Sequence, residues 1–150
     1  MTDSSAKTFY DRISHAYDFI ADGGDHVARE RGLALLNVQK GESVLEIGYG
    51  TGHSIVTLAN SVGADGHVTG VDISTGMRDV ATKRVADAKV EQRVDLQVAN
   101  VPPIPSNLGP FDVIATSFTL ELFAFATIPQ VLAECRRVLR PGGRLGVVSM

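Results

Sequence analysis

VLEIGYGTG, residues Val44 to Gly52, sets a run of strand-forming apolar residues against a charge and a glycine series. Val44, Leu45 and Ile47 suit a buried strand, and Glu46 stands among them, where an ionised group is costly. Gly48, Gly50 and Gly52 then follow at every second position. Glycine permits positive φ and lets another molecule approach the backbone closely. A strand, a glycine turn and a helix N-terminus together make a cradle of N–H groups that faces outward. A Walker phosphate loop would end Gly-Lys-Ser/Thr, but here Gly52 precedes His53. The dinucleotide spacing G-x-G-x-x-G also differs from the G-x-G-x-G of this chain.

Outward from this stretch the pattern alternates between strand and helix. Ile55, Leu58, Ala59 and Val62 recur at helical spacing, predicting a helix over Gly52–Val62. HVTGVD (His67–Asp72) predicts a strand, Ser74 a helix cap, and Met77, Val80, Ala81, Val85 and Ala88 an apolar helical stripe. VDLQVA (Val94–Ala99) alternates as a strand, and the proline-rich NVPPIPSNLGP that follows predicts a loop. FDVIATSF (Phe111–Phe118) is a fourth strand, followed by a helix from Thr127 with Ile128, Val131, Leu132, Cys135, Val138 and Leu139 on its stripe. RPGG (Arg140–Gly143) reads as a turn and RLGVVS (Arg144–Ser149) as a fifth strand. Strands joined by helical crossovers run parallel. The expected fold class is therefore α/β, a Rossmann-like doubly wound parallel sheet with helices on both faces. Such sheets bind ligands beyond the carboxyl ends of their strands, where the glycine loop falls. Within one compact domain, residues 1–40 read as an N-terminal helical cap, with Tyr10, Ile13 and Tyr17 on one face and DHVARERGLALLNV as a second helix; residues 41–150 read as the core.

Composition narrows the classes. The chain has 150 residues, 44% hydrophobic and 21% charged, with net charge −3, so no basic footprint for nucleic acid appears. Its single cysteine, Cys135, lies on an apolar helix stripe and reads as a core residue; no Cys/His spacing fits zinc. No apolar run approaches the length of a membrane span, and the polar start lacks signal-peptide character. The expected compartment is the cytoplasm.

LEIGYGTG resembles the first motif of class I S-adenosylmethionine-dependent methyltransferases, acid-x-G-x-G-x-G. GVDIS resembles the second-strand motif, FDVIATSFTLELF the fourth-strand motif, and VLAECRRVLRPGGRLGVVS the helix–turn–strand end. YDRISHAYD is similar to the N-terminal helix of the ubiquinone and menaquinone biosynthesis subgroup. The resemblance spans nearly the whole chain and implies S-adenosyl-L-methionine as cofactor and a small-molecule methyl acceptor. It also implies an antiparallel strand pair after the fifth strand, which a chain ending at Met150 leaves out; a fragment, or self-association through an open sheet edge, is the expectation.

The resemblance then assigns residues. The loop Gly48-Tyr49-Gly50-Thr51-Gly52 receives the methionine part of the cofactor. Glu46 has two readings, a brace for the loop and a partner for the cofactor ammonium. Asp72 stands in the ribose position, where two carboxylate oxygens match two hydroxyls. Ile73 and Met77 flank the adenine, and Ser117 lies near the amino-acid moiety. Tyr10 and Tyr17 approach from the covering helix or pack in the core. Ala99-Asn100-Val101 stands where the family often has Gly-Asp-Ala, so Asn100 keeps an acceptor but loses a charge. No metal and no catalytic base is legible. A displacement at an already activated sulfonium mainly needs alignment and exclusion of water. A cofactor-binding module without turnover and an NAD(P)-binding oxidoreductase domain are the alternatives.

Overall fold

The computed structural model describes residues 25–149. Tyr10 and Tyr17, and the helix expected around them, lie outside the described residues. Helix α1 (Asp25–Leu36) precedes strand β1 (Ser43–Ile47), helix α2 (His53–Val62), strand β2 (His67–Asp72) and helix α3 (Thr75–Asp87). Strand β3 (Val94–Val98), strand β4 (Phe111–Ser117), helix α4 (Ile128–Val138) and strand β5 (Leu139–Val148) complete the order. Short 3₁₀ turns at Glu91–Arg93, Leu120–Leu122 and Phe125–Thr127 have no apolar periodicity that would reveal them in the sequence.

The five strands form one sheet in the order β3-β2-β1-β4-β5, and every neighbouring pair is parallel. The strand order reverses between β1 and β4, so the doubly wound reading holds and the switch point falls beside the glycine loop. Alternation along β1 sorts the core into two layers. Val44 joins Leu33 and Leu36 of α1, Ile55 and Leu58 of α2, and Ala81 and Val85 of α3. Leu45 and Ile47 face the opposite side, with Val131, Cys135 and Val138 of α4 and Ile104 of the proline-rich loop. Leu45, Ile55, Leu58 and Ile114 are almost wholly buried, each burial contributing about 1.5–3 kcal/mol.

Local signals fix the element ends. The Ser74 hydroxyl accepts the Met77 N–H at 3.1 Å and so caps α3. Thr127 precedes α4 but makes no side-chain cap bond; the α4 start carries a proline in its first positions instead. The fifth strand differs from expectation: it begins at Leu139, and Arg140–Gly143 form an irregularity within it. Leu139 pairs with Phe111 before the excursion, and Arg144 pairs with Val113 after it. RPGG is thus a bulge that one strand absorbs, with Gly142 at φ 81° supplying the left-handed residue.

Two contacts set α1 on the sheet. A Cβ at Gly32 would overlap the Val148 side chain, and one at Gly146 would lie 2.6 Å from Leu36 Cδ2. At each position a glycine on one element makes room for a side chain of the other.

Candidate functional site

The glycine loop leaves β1 with Gly48, Gly50 and Gly52 all at positive φ (74°, 53° and 90°). Two of them are required by neighbours. A Cβ on Gly48 would overlap the Thr119 side chain, and one on Gly52 would lie 2.9 Å from Ala81 Cβ. Gly50 differs, because nothing lies within 4 Å of its missing Cβ. Its bare face is open space at the carboxyl end of the sheet.

Asp72, at the end of β2, fastens this loop. Its Oδ2 accepts the Gly50 N–H at 2.9 Å, and its Oδ1 accepts the Ser74 N–H at 3.0 Å. A carboxylate offers about four acceptor positions, so the same side chain can hold the loop and a diol. The carbonyl of Asp72 accepts the Ala99 N–H at 3.0 Å, which draws the end of β3 to the same rim. Asn100 follows on that rim, exposed, while Val101 is half-buried against the second core layer.

Across the switch point, Ser117 ends β4 and its carbonyl accepts the Thr119 hydroxyl at 3.0 Å. The same hydroxyl lies 3.4 Å from the Gly48 carbonyl. Thr119 thus ties the loop after β4 to the glycine loop. Sequence reasoning missed it, since a threonine after a strand has no distinguishing pattern.

The expected site residues divide into two groups. Gly50 and Asp72 meet through a hydrogen bond, with half-buried Ile73 beside them in sequence. Tyr49, Thr51 and Met77 turn inward instead. The Tyr49 ring is buried against Gly70, and its hydroxyl donates to the Gln97 carbonyl at 3.2 Å. Burial, reinforced by the Asp72 charge, raises its pKa far above that of an exposed phenol. Thr51 gives its carbonyl to Arg84 Nε at 2.9 Å, and Met77 is 2% exposed. The side chains of these three face the protein interior.

Glu46 is the outlying charge. It is 1% exposed, and neither carboxylate oxygen has a hydrogen-bond partner among the described residues. Burial pushes its pKa up to about 8; Ser54 and Arg29 oppose the shift and the Asp72 charge adds to it. Arg29, on α1, carries no signal in the sequence that would single it out.

Among the described residues no cluster of three or more metal-ligating side chains occurs, and no helix is long and apolar enough to cross a membrane. Two cavities flank β5 rather than the glycine loop. One, of about 230 Å³, lies between α1 and the strand, and the other, of about 490 Å³, lies against α4. The cradle itself is an open cleft at the strand ends.

Comparisons with known proteins agree with this geometry. A family model described as a methyltransferase domain matches residues 44–143. A demethylmenaquinone methyltransferase of Listeria monocytogenes serotype 4a is 34% identical over 144 residues, covering 93% of this chain and 56% of that protein. One from Symbiobacterium thermophilum is 32% identical over 142 residues, covering 92% and 56%. The chain thus spans little more than half the length of these relatives. In structure, an S-adenosylmethionine-dependent methyltransferase from Aquifex aeolicus superposes with a TM-score of 0.76 at 22% identity, covering 91% of this chain and 72% of that one.

Proposed function

The chain belongs to the methyltransferase-domain family, and from that premise we propose that it binds S-adenosyl-L-methionine and serves methyl transfer to a small-molecule acceptor. One observation carries the reading: the open face of Gly50 and the carboxylate of Asp72 are joined by a 2.9 Å hydrogen bond. This places a backbone that a ligand can touch beside a group suited to a ribose diol. The cofactor has no phosphate, which fits a loop without lysine.

Each residue then has a task. Gly48, Gly50 and Gly52 admit the methionine part, and the Gly50 N–H is held in place by Asp72. Asp72 takes the ribose hydroxyls with its carboxylate oxygens. Ile73 borders the adenine, Asn100 offers it an acceptor at the rim, and Val101 and Met77 support that side from within. Ser117 and Thr119 close the amino-acid side through the loop after β4. Tyr10 and Tyr17 belong to the proposed cap of residues 1–40. When bound, the cofactor supplies a methyl group already activated by its sulfonium. What remains for the protein is orientation and exclusion of water, which need no acid–base cluster.

The relatives named as demethylmenaquinone methyltransferases make an aromatic, quinol-type acceptor the first to assay. The proposal includes a cytoplasmic location and no nucleic-acid partner. It also includes self-association through β5, an edge strand among the described residues whose Leu145 and Val147 are 37% and 43% exposed. Light scattering tests the last point.

Calorimetry with S-adenosylmethionine and S-adenosylhomocysteine tests the central claim, with NADH as control. Saturable binding of the two sulfur nucleosides and none of NADH is expected. Binding of NADH alone overturns the reading, and binding without turnover on any quinol, phenol or amine acceptor reduces it to a cofactor module.

A further inference from the structure

The proline-rich loop between β3 and β4 offers a single backbone donor where it meets α4. Pro102, Pro103 and Pro105 carry no N–H, so within that run only Ile104 has one. Glu134 of α4 takes it: the Ile104 N–H donates to Glu134 Oε2 at 2.8 Å. The Ile104 carbonyl is taken as well, by Arg137 Nη2 at 3.0 Å. Glu134 and Arg137 also hold each other, with Arg137 Nε on Oε1 at 2.9 Å and Nη2 on Oε2 at 2.7 Å. The bonds from Arg137 and from the Ile104 N–H keep the Glu134 carboxyl below the usual carboxylate range. One loop residue is thus gripped at both of its backbone groups by a bidentate ion pair.

This grip stands four residues beyond Asn100. On the near side of Asn100, the Ala99 N–H donates to the Asp72 carbonyl at 3.0 Å. Residues 100–103 therefore bridge two fixed points, one on β2 and one on α4. The bridge is stiff, because the rings of Pro102 and Pro103 fix two of its φ angles. The Ile104 side chain is 1% exposed and shares a core layer with Leu45, Ile47, Val71 and Val131. Apolar packing holds that side chain in place without fixing the direction of its backbone; the two polar bonds fix the direction. Glu134 and Arg137 themselves are 20% and 46% exposed, and an ion pair so placed adds little to stability. What it supplies is orientation.

We propose that Glu134 and Arg137 are positioning residues for the nucleobase: by fixing the Ile104 backbone they set how Asn100 and Val101 meet the ring, and so the preference of the site for a 6-amino purine over a 6-keto one. The inference rests on the proposed S-adenosylmethionine site and names what α4 contributes to its selectivity. The Asn100 amide carries both an acceptor oxygen and a donor NH2, so by turning over it can satisfy either purine. The N–H groups of Asn100 and Val101 cannot turn over. A fixed N–H suits a ring nitrogen that accepts, as in adenine, and opposes one that bears hydrogen, as in hypoxanthine. Selectivity therefore falls to the backbone of the bridge, and that backbone is what the ion pair holds.

The test sets S-adenosylhomocysteine against S-inosylhomocysteine, which differs only in its purine, by calorimetry on wild type, Glu134→Ala, Glu134→Gln and Arg137→Ala. Circular dichroism follows folding. Wild type is expected to prefer the adenine ligand by roughly tenfold or more. Glu134→Ala should cut that preference at least threefold by weakening S-adenosylhomocysteine, while S-inosylhomocysteine changes less than twofold. Glu134→Gln keeps an acceptor for the Ile104 N–H and should recover at least half of the lost preference. Arg137→Ala should fall between the two. A brace that only stabilises the fold would weaken both ligands alike or neither, so an unchanged preference in folded Glu134→Ala overturns the proposal. If Glu134→Ala does not fold, the half-exposed Arg137→Ala decides by the same ratio. Equal affinity of wild type for the two ligands also overturns the proposal and leaves the cofactor reading standing. If neither ligand binds wild type, the proposed function falls and the positioning role with it.

Discussion

Glu42 and Glu46 stand four residues apart at the two ends of β1, and the protein treats them oppositely. Glu42 accepts Arg144 Nη1 at 3.0 Å and Nη2 at 2.8 Å, and it also takes the Gln39 N–H at 2.8 Å. The bond to Arg144 holds its pKa below the usual carboxylate range. Nearby, Asp112 accepts the Ser43 N–H at 2.8 Å and pairs with Arg140 at 2.8 Å, and its pKa is lowered as well. Glu46 has no such partner among the described residues, and burial raises its pKa. At the amino ends of the strands, charges are joined to one another and hold the fold. Near the carboxyl ends a carboxyl is buried without such a partner among the described residues, and burial favours its neutral form. A polar group partnered inside the protein is structural; one that the fold leaves unpartnered at a binding edge is available to something from outside.

The comparison breaks first at Gly50. Gly50→Val should reduce cofactor affinity at least a hundredfold, because the side chain enters the open face. The fold should lose only about 1–2 kcal/mol from the left-handed φ of 53°. Calorimetry beside circular dichroism checks this; normal binding by the folded variant would mean that the open face is not the ligand face. Next comes Asp72→Ala. It removes the anchors on Gly50 and Ser74 along with the ligand contact, so a loss of about 1.5–3 kcal/mol in binding is expected, with Asp72→Asn in between.

Glu46→Gln sharpens the contrast through pH. A carboxyl whose folded pKa is raised to about 8 contributes stability in its protonated form, and that stability drains away as pH climbs from the unfolded value near 4.5 through 8. The glutamine variant should therefore be more stable than wild type at pH 9, by on the order of 5 kcal/mol, with a correspondingly higher melting temperature, and the two should converge towards pH 5. A parallel pH profile for the two proteins would show that Glu46 is ionised in the fold. Arg144→Ala is the mildest change. It removes bonds to Glu42 and to the Leu36 carbonyl from a half-exposed side chain, at a cost of about 1 kcal/mol, and leaves ligand affinity unchanged. Glu42 has a lowered pKa, so its contribution is present at neutral pH and lost on acidification. The variant should accordingly match wild type in the acid limb of a thermal denaturation series.

Periodicity made the sheet legible, since β1, β2 and β4 are buried strands, and the apolar runs of β1 and β2 end at Gly48 and Asp72. The RPGG segment misled because glycine and proline mark a turn and a bulge with the same letters; only the pairing of Leu139 with Phe111 distinguishes them. In the site, Gly50 and Asp72 were readable as motif positions, whereas Tyr49 was assigned to the ligand by adjacency alone. Its ring crosses beneath β2 because Gly70 leaves room there, a contact 21 residues away in sequence. Arg29 was invisible for a related reason. A basic residue on an exposed-looking helix gives no sign in the sequence that its side chain is largely buried.

The bare contacts of Gly32 on Val148 and of Leu36 on Gly146 make α1 a lever. Arg29 sits one turn before Gly32 on the same rod, so its height above β1 is set at a fulcrum on the far edge of the sheet. A single methyl added at residue 32 or 146 would push helix and strand apart, and Gly32→Ala should register as a lowered melting temperature in a fold that still melts cooperatively.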